Sequence, residues 1–214
     1  MSPQDKALIH RFLPELMPTQ WGQLEMLPSL YQWWNNKVNI VSRKDIDNIV
    51  ERHILHSVAI SFFCDFAPGT KVIDVGTGGG LPGIPLAILY PECHFVLIDS
   101  IGKKIKVVQS IIDRLQLTNA RAIQIRAEQF TDERADFVVS RAAMSMDKLV
   151  DIGKILVDTK RQNNQLRNGI IALKGGDLSQ ELQAFQPKVK VRDISDFLPE
   201  MPFYETKKIV YYPL

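Results

Sequence analysis

Along this chain the spacing of apolar residues changes near residue 68, and the change divides the sequence into two kinds of element. From Thr19 through Trp34 to about Val38, the residues Leu24, Leu27, Leu30, Tyr31, Trp34 and Val38 recur three or four apart, which predicts a long helix with one face on a core. Pro28 within it predicts a kink. A shorter helix is expected from Asp5 to Leu13, stopping before Pro14. The polar, turn-like stretch NNKVNIVSRKD follows, with Arg43 and Lys44 exposed and Ser42 or Asp45 available as a helix cap. Ile46, Ile49, Val50, Ile54, Val58 and Phe62 then predict a second long helix.

Beyond Pro68-Gly69 short solid apolar runs alternate with amphipathic ones. Strands are expected at Val72–Val75, Phe95–Ile98, Ala122–Ile125, Ala135–Val139 and Gly169–Leu173, with helices at Ile84–Tyr90, Ile101–Leu115 and Met146–Val157. That alternation is the βαβ pattern of a parallel sheet covered by helices. Two further runs, Lys188–Val191 and Lys207–Tyr212, are expected to finish the sheet as an antiparallel hairpin. The chain therefore reads as α/β, with a helical cap over residues 1–67 and a cofactor domain over residues 68–214.

The chemistry concentrates in KVIDVGTGGGLPGIPLAILYPECHFVLID, Lys71 to Asp99, a strand, a glycine loop, a helix and a second strand. A loop so poor in side chains lets backbone approach a ligand closely, and a carboxylate at the end of the second strand suits a ribose-bearing cofactor. Gly78, Gly80 and Gly83 satisfy G-x-G-x-x-G with Asp99 at the spacing of a dinucleotide site, so a nicotinamide cofactor must be weighed. Two features oppose it. Asp74, near the end of the first strand, would repel a pyrophosphate by roughly 3 kcal/mol at ~5 Å and an effective dielectric of ~20, and would attract a cation. Pro82 and Pro85 remove N–H donors that a phosphate would use at a helix start. S-adenosylmethionine, cationic and without phosphate, suits the loop better, with Asp74 near its methionine end and Asp99 accepting from its ribose hydroxyls.

Strand ends on one side of a parallel sheet share a crevice. Ala127 and Glu128, after the third strand, are thus candidates for an adenine pocket, and Arg141, after the fourth, for the junction of cofactor and substrate. Lys174 would close the fifth strand on the same face. Lys103, Lys104 and Lys106 read as a solvated helix face, with phosphate contact as the functional alternative. Trp33 and Trp34 could stack on bases, although their apolar helix favours a core role.

Composition narrows the classes. With 214 residues, 45% of them hydrophobic, the chain can bury a sizeable core. A net charge of +2 excludes general nucleic-acid binding by the whole surface, so any RNA contact must be local. Cys64 and Cys93 lack CxxC spacing and read as buried thiols, and the four histidines form no ligand cluster, so neither a disulfide framework nor a metal is expected. No apolar run reaches the ~20 residues of a membrane span, and the expectation is a soluble cytoplasmic monomer.

For a methyl acceptor, the missing motifs matter. Amine methylation usually brings Asn or Asp with Pro-Pro and an aromatic after the fourth strand, where this chain has SRAAMS, and neither cysteine has the setting of a cytosine C5 nucleophile. Guanine N7 has a free lone pair and needs alignment rather than a base. Arg141 or Lys174 donating to O6 would present N7 to the methyl group.

Taken together, VIDVGTGGGLPGIPLAI, SRAA, LKGG, WNNKVN and ERHILHS resemble the bacterial small-subunit ribosomal RNA guanine-N7 methyltransferases, also known as glucose-inhibited division protein B, over roughly Trp34 to Asp177. The resemblance implies a class I methyltransferase fold with a Rossmann-like, seven-stranded, mostly parallel sheet. It also implies S-adenosylmethionine as donor, and a guanine of 16S RNA, presented as RNA or as the small ribosomal subunit, as acceptor. It places cofactor contacts on Gly76, Leu81, Ala127, Glu128 and Arg141, and matches Asp99 to the ribose-binding acid; Gly78 joins them from the loop itself. Arg141 is thereby favoured as a cofactor-side residue, and no dedicated base is expected. Lys103 and Arg43 remain candidates for RNA contact. Pro28, and NIV where NLT is commoner, depart from the family pattern. The rival classes are a small-molecule methyltransferase, a nicotinamide-dependent oxidoreductase and a cofactor-sensing RNA binder.

Overall fold

The computed structural model describes residues 1–141 and 144–214; Ala142 and Ala143, the end of the SRAA segment, lie outside the described residues. Seven strands form one sheet in the order β3-β2-β1-β4-β5-β7-β6. They are β1 (Lys71–Val75), β2 (His94–Asp99), β3 (Ala120–Gln124), β4 (Phe137–Arg141), β5 (Gly169–Gly175), β6 (Lys190–Asp193) and β7 (Lys207–Pro213). β1 to β5 are parallel, whereas β7 lies antiparallel between β5 and β6, as the closing hairpin expected. Strand order reverses between β1 and β4, and open α/β sheets place ligands beyond the strand ends at such a point.

Side chains alternate across the sheet, and each face has its own core. Val72, Phe95, Leu97, Phe137, Val139, Leu173 and Ile209 join α4 (Gly83–Leu89), α5 (Gly102–Leu115) and the N-terminal helices α1 (Pro3–Phe12), α2 (Pro18–Asn35) and α3 (His56–Phe63). Ile73, Val75, Ile98, Val138, Ile170 and Val210 pack under α6 (Met146–Leu156) on the other face. Leu24, Leu27 and Tyr31 of α2 are fully buried, as their spacing predicts. α1 begins with a capping box, in which the Ser2 hydroxyl accepts from Asp5 N at 3.1 Å, Asp5 accepts from Ser2 in return, and Pro3 supplies the first helical position.

Three differences from the sequence reading matter for the site. The expected helix over residues 46–62 is three pieces: a 3-10 turn at Ile46–Asn48, a π-helix at Val50–Leu55 and α3. β4 extends to Arg141 instead of stopping at Val139, so Arg141 has strand geometry and a defined face. Trp33 is 49% exposed, not core, with the Lys37 ammonium 3.4 Å above its ring. Pro28 is buried within α2, which runs from Pro18 to Asn35. Cys64 and Cys93 are buried free thiols.

Candidate active site

The loop between β1 and α4 turns back on itself because Gly76, Gly78 and Gly80 adopt positive φ of 66°, 59° and 92°. Gly78 N–H donates to Asp99 Oδ2 at 3.0 Å, while Asp99 Oδ1 accepts from Ile101 N at 2.9 Å, at the entry to α5. One carboxylate therefore joins the glycine loop, the end of β2 and the start of α5. Gly83 must be bare for a different reason: a Cβ there would lie 2.7 Å from Asp74 Oδ2 and from Leu97 Cγ.

Above these elements opens a cavity of about 470 Å³, within the range of small-molecule sites, ~300–1,000 Å³. Gly76, Gly78, Leu81, Asp99, Ala127, Glu128 and Arg141 all line it. The structure thus brings these seven residues together from four separate chain segments. It adds Ile40 from the loop after α2, Lys104 from the first turn of α5, and Met144.

Asp74 is elsewhere. It shares a sheet face with Val72, so alternation sends its side chain beneath the loop, fully buried. Its Oδ2 accepts from Thr77 Oγ1 at 2.6 Å and Gly83 N at 2.8 Å, and its Oδ1 has no partner among the described residues. Burial pushes its pKa up to about 6, against the hydrogen bonds from Thr77 and Gly83 and the charge of Arg141. Asp74, expected near the methionine end of the cofactor, therefore does not line the cavity: it braces the loop from below. The argument against a diphosphate changes form, because Gly83 N–H, the donor offered by the start of α4, is already taken.

Lys174 is also corrected. Even-numbered residues of β5, such as Ile170 and Ala172, face α6, so Lys174 points away from the side that Arg141 faces. It is 9% exposed and ion-pairs Glu181 Oε1 at 2.6 Å while donating to Met144 O at 3.0 Å. Lys103 is exposed on α5, but Lys104 is the lysine that reaches the cavity. Arg43 is exposed beside a separate hollow with Asn35, Asn36 and Asp47.

Arg141 follows Phe137 and Val139 onto the face of the N-terminal helices. There its Nη1 lies 2.9 Å from His53 Nδ1 on the π-helix. Burial lowers the pKa of Arg141, opposed by Tyr31, Asp74 and Tyr204. Sequence reasoning missed His53; its signal was the His-x-x-His of ERHILHS, masked by reading an ordinary helix there.

A family model described as rRNA small subunit methyltransferase G matches residues 20–205. The chain is 52% identical over 206 residues to a "Ribosomal RNA small subunit methyltransferase G" of Flavobacterium psychrophilum, covering 96% of this chain and 97% of the relative. The Porphyromonas gingivalis protein of that name is 44% identical over 212 residues, covering 99% and 95%. The chain belongs to the rRNA small subunit methyltransferase G family. A solved "SAM dependent methyltransferase" of Aquifex aeolicus, at 14% identity and a TM-score of 0.57 over 86% of this chain and 97% of that one, shares the fold. So does an Aeropyrum pernix fibrillarin solved with natively bound S-adenosyl-L-methionine, at 10% identity and a TM-score of 0.54 over 74% and 73%. The family membership read from the sequence, the class I fold, the methyltransferase activity and S-adenosylmethionine as donor are therefore borne out.

The cavity fits that donor on its own evidence. Asp99 keeps lone pairs free after accepting two N–H groups, as a diol partner requires. The bare loop leaves backbone at the cavity surface, and two carboxylates, Asp99 and Glu128, line it. Among the described residues no cluster of three or more His, Cys, Asp or Glu is placed to hold a metal, and no helix is long and apolar enough to cross a membrane.

Proposed function

We propose that this member of the rRNA small subunit methyltransferase G family transfers a methyl group from S-adenosylmethionine to N7 of a guanine in 16S ribosomal RNA, acting in the cytoplasm as a monomer. The observation that carries the site assignment is the convergence of Gly76, Gly78, Leu81, Asp99, Ala127, Glu128 and Arg141 on one cavity at the switch point of the sheet.

The bound donor supplies an electrophilic methyl on a sulfonium. The protein's part is to bind, orient and exclude water. Asp99 holds the ribose hydroxyls with lone pairs left over from Gly78 and Ile101. The Gly76–Gly78 backbone forms the floor, and Leu81 with Ile40 closes the apolar side. Ala127 and Glu128, in the 3-10 turn after β3, frame the adenine. Arg141 faces the cofactor and the incoming base, where a guanidinium complements O6 and leaves N7 unprotonated and free. No side chain need take a proton, since N7 carries none.

Residues 1–67 act as a helical cap on the methyltransferase domain of residues 68–214, and this cap supplies Ile40 to the cavity wall. Exposed Arg43 and Lys37 on the cap and Lys103 on α5 offer phosphate contacts for the RNA. The deciding experiment supplies labelled S-adenosylmethionine and small subunits lacking the modification, then maps the product by strand cleavage at 7-methylguanosine. Label confined to one guanine supports the proposal. Label elsewhere, or none with correctly folded protein, overturns it.

A further inference from the structure

Arg141 is a half-buried cation in an unusual setting: among the described residues it has no carboxylate within ion-pairing distance, and its guanidinium makes a single hydrogen bond, to His53 Nδ1 at 2.9 Å. An arginine can only donate, so Nδ1 must accept, which fixes His53 as the neutral tautomer with its hydrogen on Nε2. That Nε2 is buried and has no partner in the described structure. The imidazole thus leaves one polar atom unsatisfied while it holds the arginine, a cost that mere space-filling would avoid.

The backbone carrying His53 is braced from three directions. Tyr204 donates its hydroxyl to Glu51 O, Ser57 Oγ donates to His53 O at 2.6 Å, and Arg52 bonds Asp45 at 2.8 Å. The π-helix carries His53 to the cavity-lining Arg141, and π-bulges in helices frequently accompany functional sites. Burial pushes the His53 pKa down to about 4, with Arg141 and Arg52 adding to the fall and Asp45 opposing it, so the accepting form prevails at neutral pH.

We infer that His53 is a positioning residue for methyl transfer: as a neutral acceptor on a braced π-turn it holds the Arg141 guanidinium in the orientation that meets cofactor and guanine. This rests on the proposed role of Arg141 above. Its function passes through Arg141 alone.

The test is calorimetry of the full-length protein with S-adenosylhomocysteine, paired with methyl transfer to unmodified small subunits. His53→Ala is expected to weaken binding or lower kcat/KM about tenfold, the size of one hydrogen bond to a charged group. His53→Phe, which keeps ring volume without an acceptor, should do the same should the alanine protein fail to fold. His53→Asn, whose amide oxygen can take the acceptor position, should recover most of the loss. In an Arg141→Ala background, His53→Phe should change neither quantity by more than about twofold. Wild-type behaviour of His53→Phe, or an equal tenfold loss in the Arg141→Ala background, would overturn the inference. A wild-type protein that binds the nucleoside but leaves the subunits unmethylated would instead sink the proposed function, with the calorimetric comparison still decisive for His53.

Discussion

Asp74 offers a test of how burial and hydrogen bonding compete beneath the glycine loop. The carboxylate is fully buried, accepts from Thr77 and Gly83, and still has a pKa raised from 3.8 to about 6, because burial outweighs both bonds and the nearby Arg141. At ~1.4 kcal/mol per unit, that rise is worth about 3 kcal/mol. The folded protein holds the proton more tightly than the unfolded chain. Its contribution to stability is therefore full below about pH 4 and disappears as pH rises through about 6. Asp74→Asn keeps an oxygen for Thr77 and Gly83 and removes the ionisation. Urea unfolding of both proteins between pH 4 and pH 8, taken as a difference so that other titrating groups cancel, should show the variant gaining about 3 kcal/mol on the wild type across that range. A difference that stays flat with pH, or that moves against the variant as pH rises, would refute the reasoning. The same variant should lose more affinity for cationic S-adenosylmethionine than for S-adenosylhomocysteine, which lacks the sulfonium charge.

Other consequences follow from single contacts. Gly79→Ala would place a Cβ 1.8 Å from Ile40 Cγ2, pressing the cap away from the loop; thermal unfolding should register a loss of about 1–3 kcal/mol, partly recovered by adding Ile40→Ala. Asp99→Ala deletes the acceptor for Gly78 and Ile101 as well as the proposed ribose partner, and calorimetry should find S-adenosylhomocysteine affinity reduced by about 100-fold, as expected for about two hydrogen bonds to a charged group. Lys174→Met breaks the pair with Glu181 on the far face of the sheet. It should cost about 1–3 kcal/mol in denaturant unfolding, with cofactor affinity unchanged within about twofold.

What the sequence determined by itself was the order of elements and the location of the cofactor crevice. Periodicity and glycine placement are local properties: Val72–Val75 before a bare loop, and Phe95–Ile98 ending at Asp99, permit few arrangements other than a βαβ half-site, and parallel strands must present their ends together. The seven cofactor candidates consequently meet at one cavity. Tertiary structure alone decided which way a charged side chain at a strand end points. Asp74 and Lys174 were both read as crevice residues, yet one lies under the loop and the other pairs with Glu181 on the opposite face, since a shift of one residue along a strand reverses the face. It also decided that Ile46–Phe62 would not be a plain helix. The apolar spacing there is the same for an α-helix and for one interrupted by a π-turn, and the π-turn meets Tyr204 from near the C-terminus and Arg141 from the sheet, contacts that no local pattern contains.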